Sequence, residues 1–161
     1  MQFEEKYQYV KDADTVMRMF SDRGYFETKY EETTISYQVL EHDKSDKKFH
    51  IRCELKMPLN VPVPGFAKKF LGETMTVVQQ DDWDLDARTG TLKVEMAGAP
   101  VSISARMTLR DGAEGAENHV QWDVTCKVPL VGGKLEKLIA DDIQAKSPAD
   151  LEVSNRILAS Y

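Results

Sequence analysis

Between residues 33 and 129 apolar and polar positions alternate cleanly enough to be counted. Phe49, Ile51, Cys53, Leu55 and Met57 are separated by His50, Arg52, Glu54 and Lys56, the pattern of a strand with one buried and one solvated face. Val101, Ile103, Ala105, Met107 and Leu109 repeat it, as do Val120, Trp122, Val124, Cys126 and Val128. Weaker alternation predicts strands over 33–42, 73–85 and 91–98, and Phe3, Tyr7 and Tyr9 predict another over 2–10, which makes seven. The connections are short and carry turn residues, among them Asp43-Lys44-Ser45-Asp46-Lys47, Arg88-Thr89-Gly90 and Gly98-Ala99-Pro100. Sequential strands are therefore expected to be antiparallel neighbours.

The helical period appears at both ends of this region. Asp12 is placed to cap a helix whose Ala13, Val16, Met17 and Phe20 share one face, with Gly24 as its stop. A second short helix over 25–32 would bring Phe26 beside Tyr30. After Gly132-Gly133, a stripe of Leu135, Leu138, Ile139 and Ile143 resumes at Leu151, Val153, Ile157, Leu158 and Tyr161, predicting one long helix over 133–161. Pro148 lacks a backbone donor and would clash with the carbonyl of Gln144. The helix should kink there, or break and restart with Ser147 as its cap.

The chain has 161 residues, 42% hydrophobic and 30% charged, which fits one compact domain over 1–161 with roughly 70% of its unfolded surface buried. A net charge of −6 argues against a nucleic-acid surface. No apolar run approaches the roughly 18 residues of a membrane span, so membrane association is expected to be transient at most. The opening residues carry no basic and apolar leader pattern, and cytoplasmic residence is the expectation.

The order of elements is α+β: one strand, two short helices, six antiparallel strands and a long final helix. It resembles the helix-grip fold of the START-like superfamily, which includes lipid-transfer domains, pollen-allergen-type proteins and polyketide cyclases. The segments Phe3-Glu4-Glu5-Lys6-Tyr7 and Val128-Pro129-Leu130-Val131-Gly132-Gly133-Lys134-Leu135-Glu136 are similar to an uncharacterised bacterial branch, a domain of unknown function. The resemblance implies a curved seven-stranded sheet around the C-terminal helix, with an apolar cavity between them. It also separates the third strand from the seventh, so Cys53 and Cys126 should be reduced, buried and unbridged. The glycine-rich loop of pollen-allergen-type members is replaced here by residues 43–47, which speaks against phosphate-like binding at that loop.

Candidate chemistry is sparse. His42, His50 and His119 are scattered, none at an inward position, and no spacing suits zinc. Asp82, Asp84 and Asp86 begin like a calcium loop, but Ala87 stands where glycine is required and Lys93 where a bidentate glutamate is required. Alternation instead puts these aspartates outside, with Trp83 and Leu85 inside. Gln79 and Asp81 share the Trp83 side and are the best candidates for polar groups in a cavity.

The inward set Tyr37, Met57, Met75, Trp83, Met96, Met107 and Trp122 suits an adaptable apolar site. Ala105 is the small residue where the sheet could leave room, and Phe66 and Phe70 could close the mouth as a lid. The expected function is non-catalytic binding of a small apolar or amphipathic molecule, with no cofactor and no metal. One alternative is a cyclase-like enzyme, which would need an inward acid or base, with Asp81 the only suggestive residue. The other is an interaction protein with a collapsed cavity.

Overall fold

The structure is a computed structural model and describes residues 1–59, 65 and 72–161. Its elements run β1 (Gln2–Tyr9), α1 (Ala13–Phe20), α2 (Arg23–Thr33), β2 (Ser36–Lys44), β3 (Lys48–Pro58), β4 (Thr74–Asp84), β5 (Thr89–Met96), β6 (Val101–Asp111), β7 (Ala116–Cys126) and α3 (Gly132–Leu158). The strands form one antiparallel curved sheet in the order β1-β7-β6-β5-β4-β3-β2, so each strand after the first pairs with its chain neighbour and β1 closes onto β7. This is the architecture expected from the alternation.

Because opposed residues in an antiparallel ladder share a face, the registers define inward rows that run across the sheet. One row is Ile51, Asp81, Leu92, Ala105, Trp122 and Phe3; the next is Phe49, Trp83, Gly90, Met107, Val120 and Glu5. Leu109, Asn118 and Tyr7 begin a third. Cys53 and Cys126 are buried free thiols on β3 and β7, which are not neighbours.

The helices cover this face. Asp12 caps α1 by accepting a hydrogen bond from the Thr15 amide, and Ala13, Val16, Met17 and Phe20 are buried as the periodicity requires. Phe20 stacks on Trp83 at 5.3 Å between ring centroids, and Phe26 of α2 stacks on Phe49 at 5.7 Å. Gly24 does not stop α1. It lies in the first turn of α2, where its amide donates to the side chain of Asp22, the actual cap.

The glycine pair after β7 has a structural role. A Cβ on Gly132 would lie 2.5 Å from the Cys126 carbonyl oxygen, so only glycine lets α3 begin this close to the strand. Glu136 locks the junction, one oxygen accepting from the Cys126 amide at 2.9 Å and the other from the Met1 ammonium at 3.2 Å. Nor does α3 break at Pro148. It runs uninterrupted from Gly132 to Leu158, and Ser147 back-bonds to the Ile143 carbonyl at 2.8 Å instead of capping a new helix.

Two strand ends also differ from expectation. β7 starts at Ala116 and ends at Cys126, before Val128. In β2 the register shifts between Val39 and Glu41, which puts Leu40 in a bulge and turns His42 to the same face as Ile51. His42 packs edge-on against Phe49, so a histidine does reach the inward side, at an exposed edge.

Candidate functional site

Between the sheet and the helices lies a half-open cavity of about 120 Å³. Its floor is built by Gln79, Asp81 and Trp83 of β4, Leu92 of β5, Met107 of β6, Asn118, Val120 and Trp122 of β7, and Tyr7 and Tyr9 of β1. Its walls are Phe20 of α1, Tyr25, Phe26 and Lys29 of α2, and Ser147, Asp150 and Leu151 of α3.

Most polar groups around it are already matched. Lys29 pairs with Asp150 at 2.9 Å, Tyr25 and Ser154 share a hydrogen bond of 2.9 Å, and the Tyr7 hydroxyl donates to Glu5. Burial pulls the Lys29 ammonium down, but Asp150 and its other neighbours outweigh that and hold it well above its ordinary range, so it stays charged. Burial pushes the Tyr7, Tyr9 and Tyr25 phenols up, and they are neutral at physiological pH.

Three groups are not matched in this way. Asn118 is 3% exposed, yet among the described residues its Oδ1 has no hydrogen-bond partner, and the buried Nε1 of Trp122 has none of good geometry, though it approaches the Tyr7 hydroxyl closely enough to pull that phenol down slightly. Asp81 is 7% exposed and accepts one hydrogen bond, from Gln79 Nε2 at 3.0 Å. Burial pushes its carboxyl up to about 6, against a partly offsetting pull from the Gln79 amide.

Five residues expected from the sequence line this cavity: Gln79, Asp81, Trp83, Met107 and Trp122. Ala105 faces inward between two of its lining residues, Leu92 and Trp122, but is not itself part of the lining. Tyr37 packs beside Tyr30 at 6.0 Å, while Met57, Met75 and Met96 sit together at the other end of β3, β4 and β5, half-buried and away from the cavity. Phe66 and Phe70 lie outside the described residues. Asn118 was within reach of the sequence, because the alternation Val120, Trp122 and Val124 extends back to it. The walls from α2 and α3 carry no comparable signal.

On the opposite face, an open groove of about 580 Å³ crosses β1, β7, β6 and β5. Its outward side chains satisfy one another, Gln121 donating to Glu4 at 3.1 Å and Gln2 to Asp123 at 3.3 Å. Further along that face, His50 lies 2.5 Å from Asp82 and 3.0 Å from Glu41. Asp84 turns its carboxylate onto the amides of Asp86 and Ala87, which makes that acidic stretch a turn. Among the described residues no helix is long and apolar enough to cross a membrane.

A family model described as "Protein of unknown function (DUF2505)" matches residues 4–158. The chain belongs to this family. An uncharacterised protein of Mycobacterium tuberculosis is 24% identical over 152 residues, covering 88% of this chain and 87% of that one. Among solved structures, the Zhui aromatase/cyclase from Streptomyces superposes with a TM-score of 0.67 at 16% identity, over 99% of this chain and 93% of that one. A START superfamily protein from Mycobacterium smegmatis gives 0.60 at 11% identity, over 99% and 97%. At these identities the likeness is one of fold, and the fold of this DUF2505 protein is START-like.

Proposed function

We propose that this DUF2505 protein is a single START-like domain that binds a small amphipathic molecule, about the size of one ring, between sheet and helices without transforming it. The observation that carries this reading is the pair of buried polar atoms, Asn118 Oδ1 and Trp122 Nε1, left without a well-formed hydrogen bond among the described residues, in a pocket whose other polar groups are mostly paired with one another and whose remaining lining is aromatic and aliphatic. Buried polar groups left unpaired cost roughly 1–3 kcal/mol each, and a ligand bearing one donor and one acceptor would relieve that penalty. The volume sets the scale: at about 120 Å³ the site is slightly smaller than the roughly 150 Å³ cavity that accepts benzene, so a single ring enters with a small widening. A long acyl chain would require the cavity to enlarge. We place the protein in the cytoplasm, its partner a small molecule and not a nucleic acid.

The test is titration of benzyl alcohol and indole into the wild-type protein, followed by amide chemical shifts. Perturbations should cluster on β4, β7 and α3, and Asn118→Leu should weaken binding of benzyl alcohol. If neither probe shifts a resonance of these elements, the reading fails.

Asp81 favours a second reading, in which the domain works as a cyclase-like acid–base catalyst. A carboxyl titrating at about 6 inside a cavity is poised to exchange a proton with a bound ring, and the Zhui aromatase/cyclase shares the fold. Conversion of a bound aromatic precursor by the wild type, lost in Asp81→Asn with binding intact, would establish it.

A further inference from the structure

Resting on the ligand-binding reading above, the charge arrangement around the cavity narrows the class of ligand. We propose that the cavity selects a small ring-bearing organic cation, whose ammonium group is held by Asp81.

Asp81 sits in the inward row between Ile51 and Leu92, on β4, the strand that bounds one side of the cavity floor. Its single hydrogen-bond donor among the described residues is the neutral Gln79 amide, which occupies one carboxylate oxygen, Oδ2. The other oxygen accepts from no described residue, and Asp81 is one of the residues that line the cavity. Among the described residues the one cation in the cavity wall, Lys29, is spoken for: it forms its ion pair with Asp150 at 2.9 Å and lies 5.7 Å from the centre of the Tyr25 ring. The wall therefore carries two carboxylates against one ammonium, and Glu5 adds a third at its Ser147 end, 3.1 Å from the Ser147 hydroxyl. An anionic ligand would meet this surplus of negative charge without a free cation among the described lining residues to balance it.

A cationic ligand gains on both counts. Its N–H groups supply the charged donors Asp81 lacks, and a buried carboxylate is stabilised chiefly by pairing. The aromatic rings of Trp83, Phe20 and Tyr25 line the same space and give the ligand's own ring an apolar surface to pack on. The groups that set the protonation of Asp81 come from every element around it: Lys29 and Tyr30 from α2, Cys53 from β3, Asp82 from its own strand and Asp150 from α3. None of them supplies a hydrogen-bonded positive charge to the carboxylate.

The experiment compares benzylamine, benzyl alcohol and benzoate, three probes of one size and different charge, by calorimetric titration of the wild-type protein near neutral pH. Benzylamine should bind roughly ten- to a hundredfold more tightly than benzyl alcohol, the range expected of a charge-assisted hydrogen bond, with benzoate weakest. Its advantage should shrink as pH is lowered through about 6, while benzyl alcohol binding stays constant. Asp81→Asn, which keeps the shape and removes the charge, should bring benzylamine down to the affinity of benzyl alcohol. Binding of benzyl alcohol with no preference for benzylamine would overturn the cation proposal and leave the binding reading standing, and so would a preference for benzoate or a benzylamine preference that survives Asp81→Asn. Failure of all three probes to bind would overturn both.

Discussion

Gly90→Ala tests how tightly the floor of the cavity is packed. Gly90 faces Trp83 across the β4–β5 ladder, and a Cβ placed on it would lie 2.7, 2.8 and 2.9 Å from three indole carbons. The shortest of these must lengthen to the 3.4 Å of ordinary contact, so the indole has to move by about 0.7 Å. It is 4% exposed and already stacked on Phe20, which leaves it nowhere to go without displacing α1. Overpacking of this kind costs about 1–3 kcal/mol, and the backbone gain from replacing a strand glycine with alanine returns about 0.5–1 of it. The expected net loss is up to about 2.5 kcal/mol, or up to about 10 °C in Tm for a chain of this length. Urea unfolding followed by tryptophan fluorescence reads the loss, and a double-mutant cycle with Trp83→Leu assigns it. In the leucine background the clash is gone, and Gly90→Ala should be neutral or slightly stabilising. Equal destabilisation in both backgrounds, within the roughly 0.5 kcal/mol of such measurements, would refute the steric account.

Other consequences can be measured directly. Asp81 titrates at about 6 in the fold against 3.8 for a free side chain, so its burial opposes folding once pH rises above the unfolded value, by about 3 kcal/mol when the group is fully ionised. Asp81→Asn should therefore stabilise the protein at neutral pH, with the gain vanishing below about pH 4; a gain independent of pH would contradict the assignment. Glu41 and Asp82 hold the His50 imidazolium above its ordinary range, and histidine NMR titration should show this. Its contribution is complete below the unfolded value of about 6.5 and is lost as pH rises through the folded one, so His50→Gln should be destabilising mainly on the acid side. Burial pushes the Cys53 thiol up to about 11 and raises that of Cys126, so both should react with a disulfide reagent far more slowly in the native state than in urea. Fast native labelling of either would count against a closed core.

What could be read in advance follows from which interactions are local. Strands β3, β6 and β7 announce themselves because one face of each is buried along its whole length, and the position of Asp81 beside Trp83 follows from counting by two. The bulge at Leu40 breaks that count, and with it the expectation for His42. Pro148 illustrates a different limit. Local stereochemistry predicts a kink or a break, but Ser154 and Leu158 are buried beyond it and Ala140 before it, so tertiary packing holds one continuous helix and the break does not occur. The cavity is only partly visible for a related reason. Its sheet half follows from alternation, while Tyr25, Lys29, Ser147 and Asp150 enter it through the way two helices lean on the sheet, which no spacing encodes.

The closing of β1 onto β7 has a consequence for how the protein is made. Every other pairing joins strands adjacent in the chain, so β2 to β7 can form as a succession of local hairpins, but β1 has to wait for a partner that begins 107 positions after its own last residue. At ribosomal speeds of roughly 5–20 residues per second, that interval is about 5–20 s, during which Phe3, Tyr7 and Tyr9 have no sheet to cover them. Such a segment is an aggregation hazard unless charged residues interrupt it. Glu4, Glu5 and Lys6 do so, and after folding Glu4 receives His119 and Gln121 and Lys6 pairs with Glu117 at 4.0 Å across the β1–β7 seam, while Glu5 receives Tyr7 of its own strand. The N-terminal strand thus carries charges that serve it twice, first as gatekeepers of a nascent chain and later as partners across a finished seam.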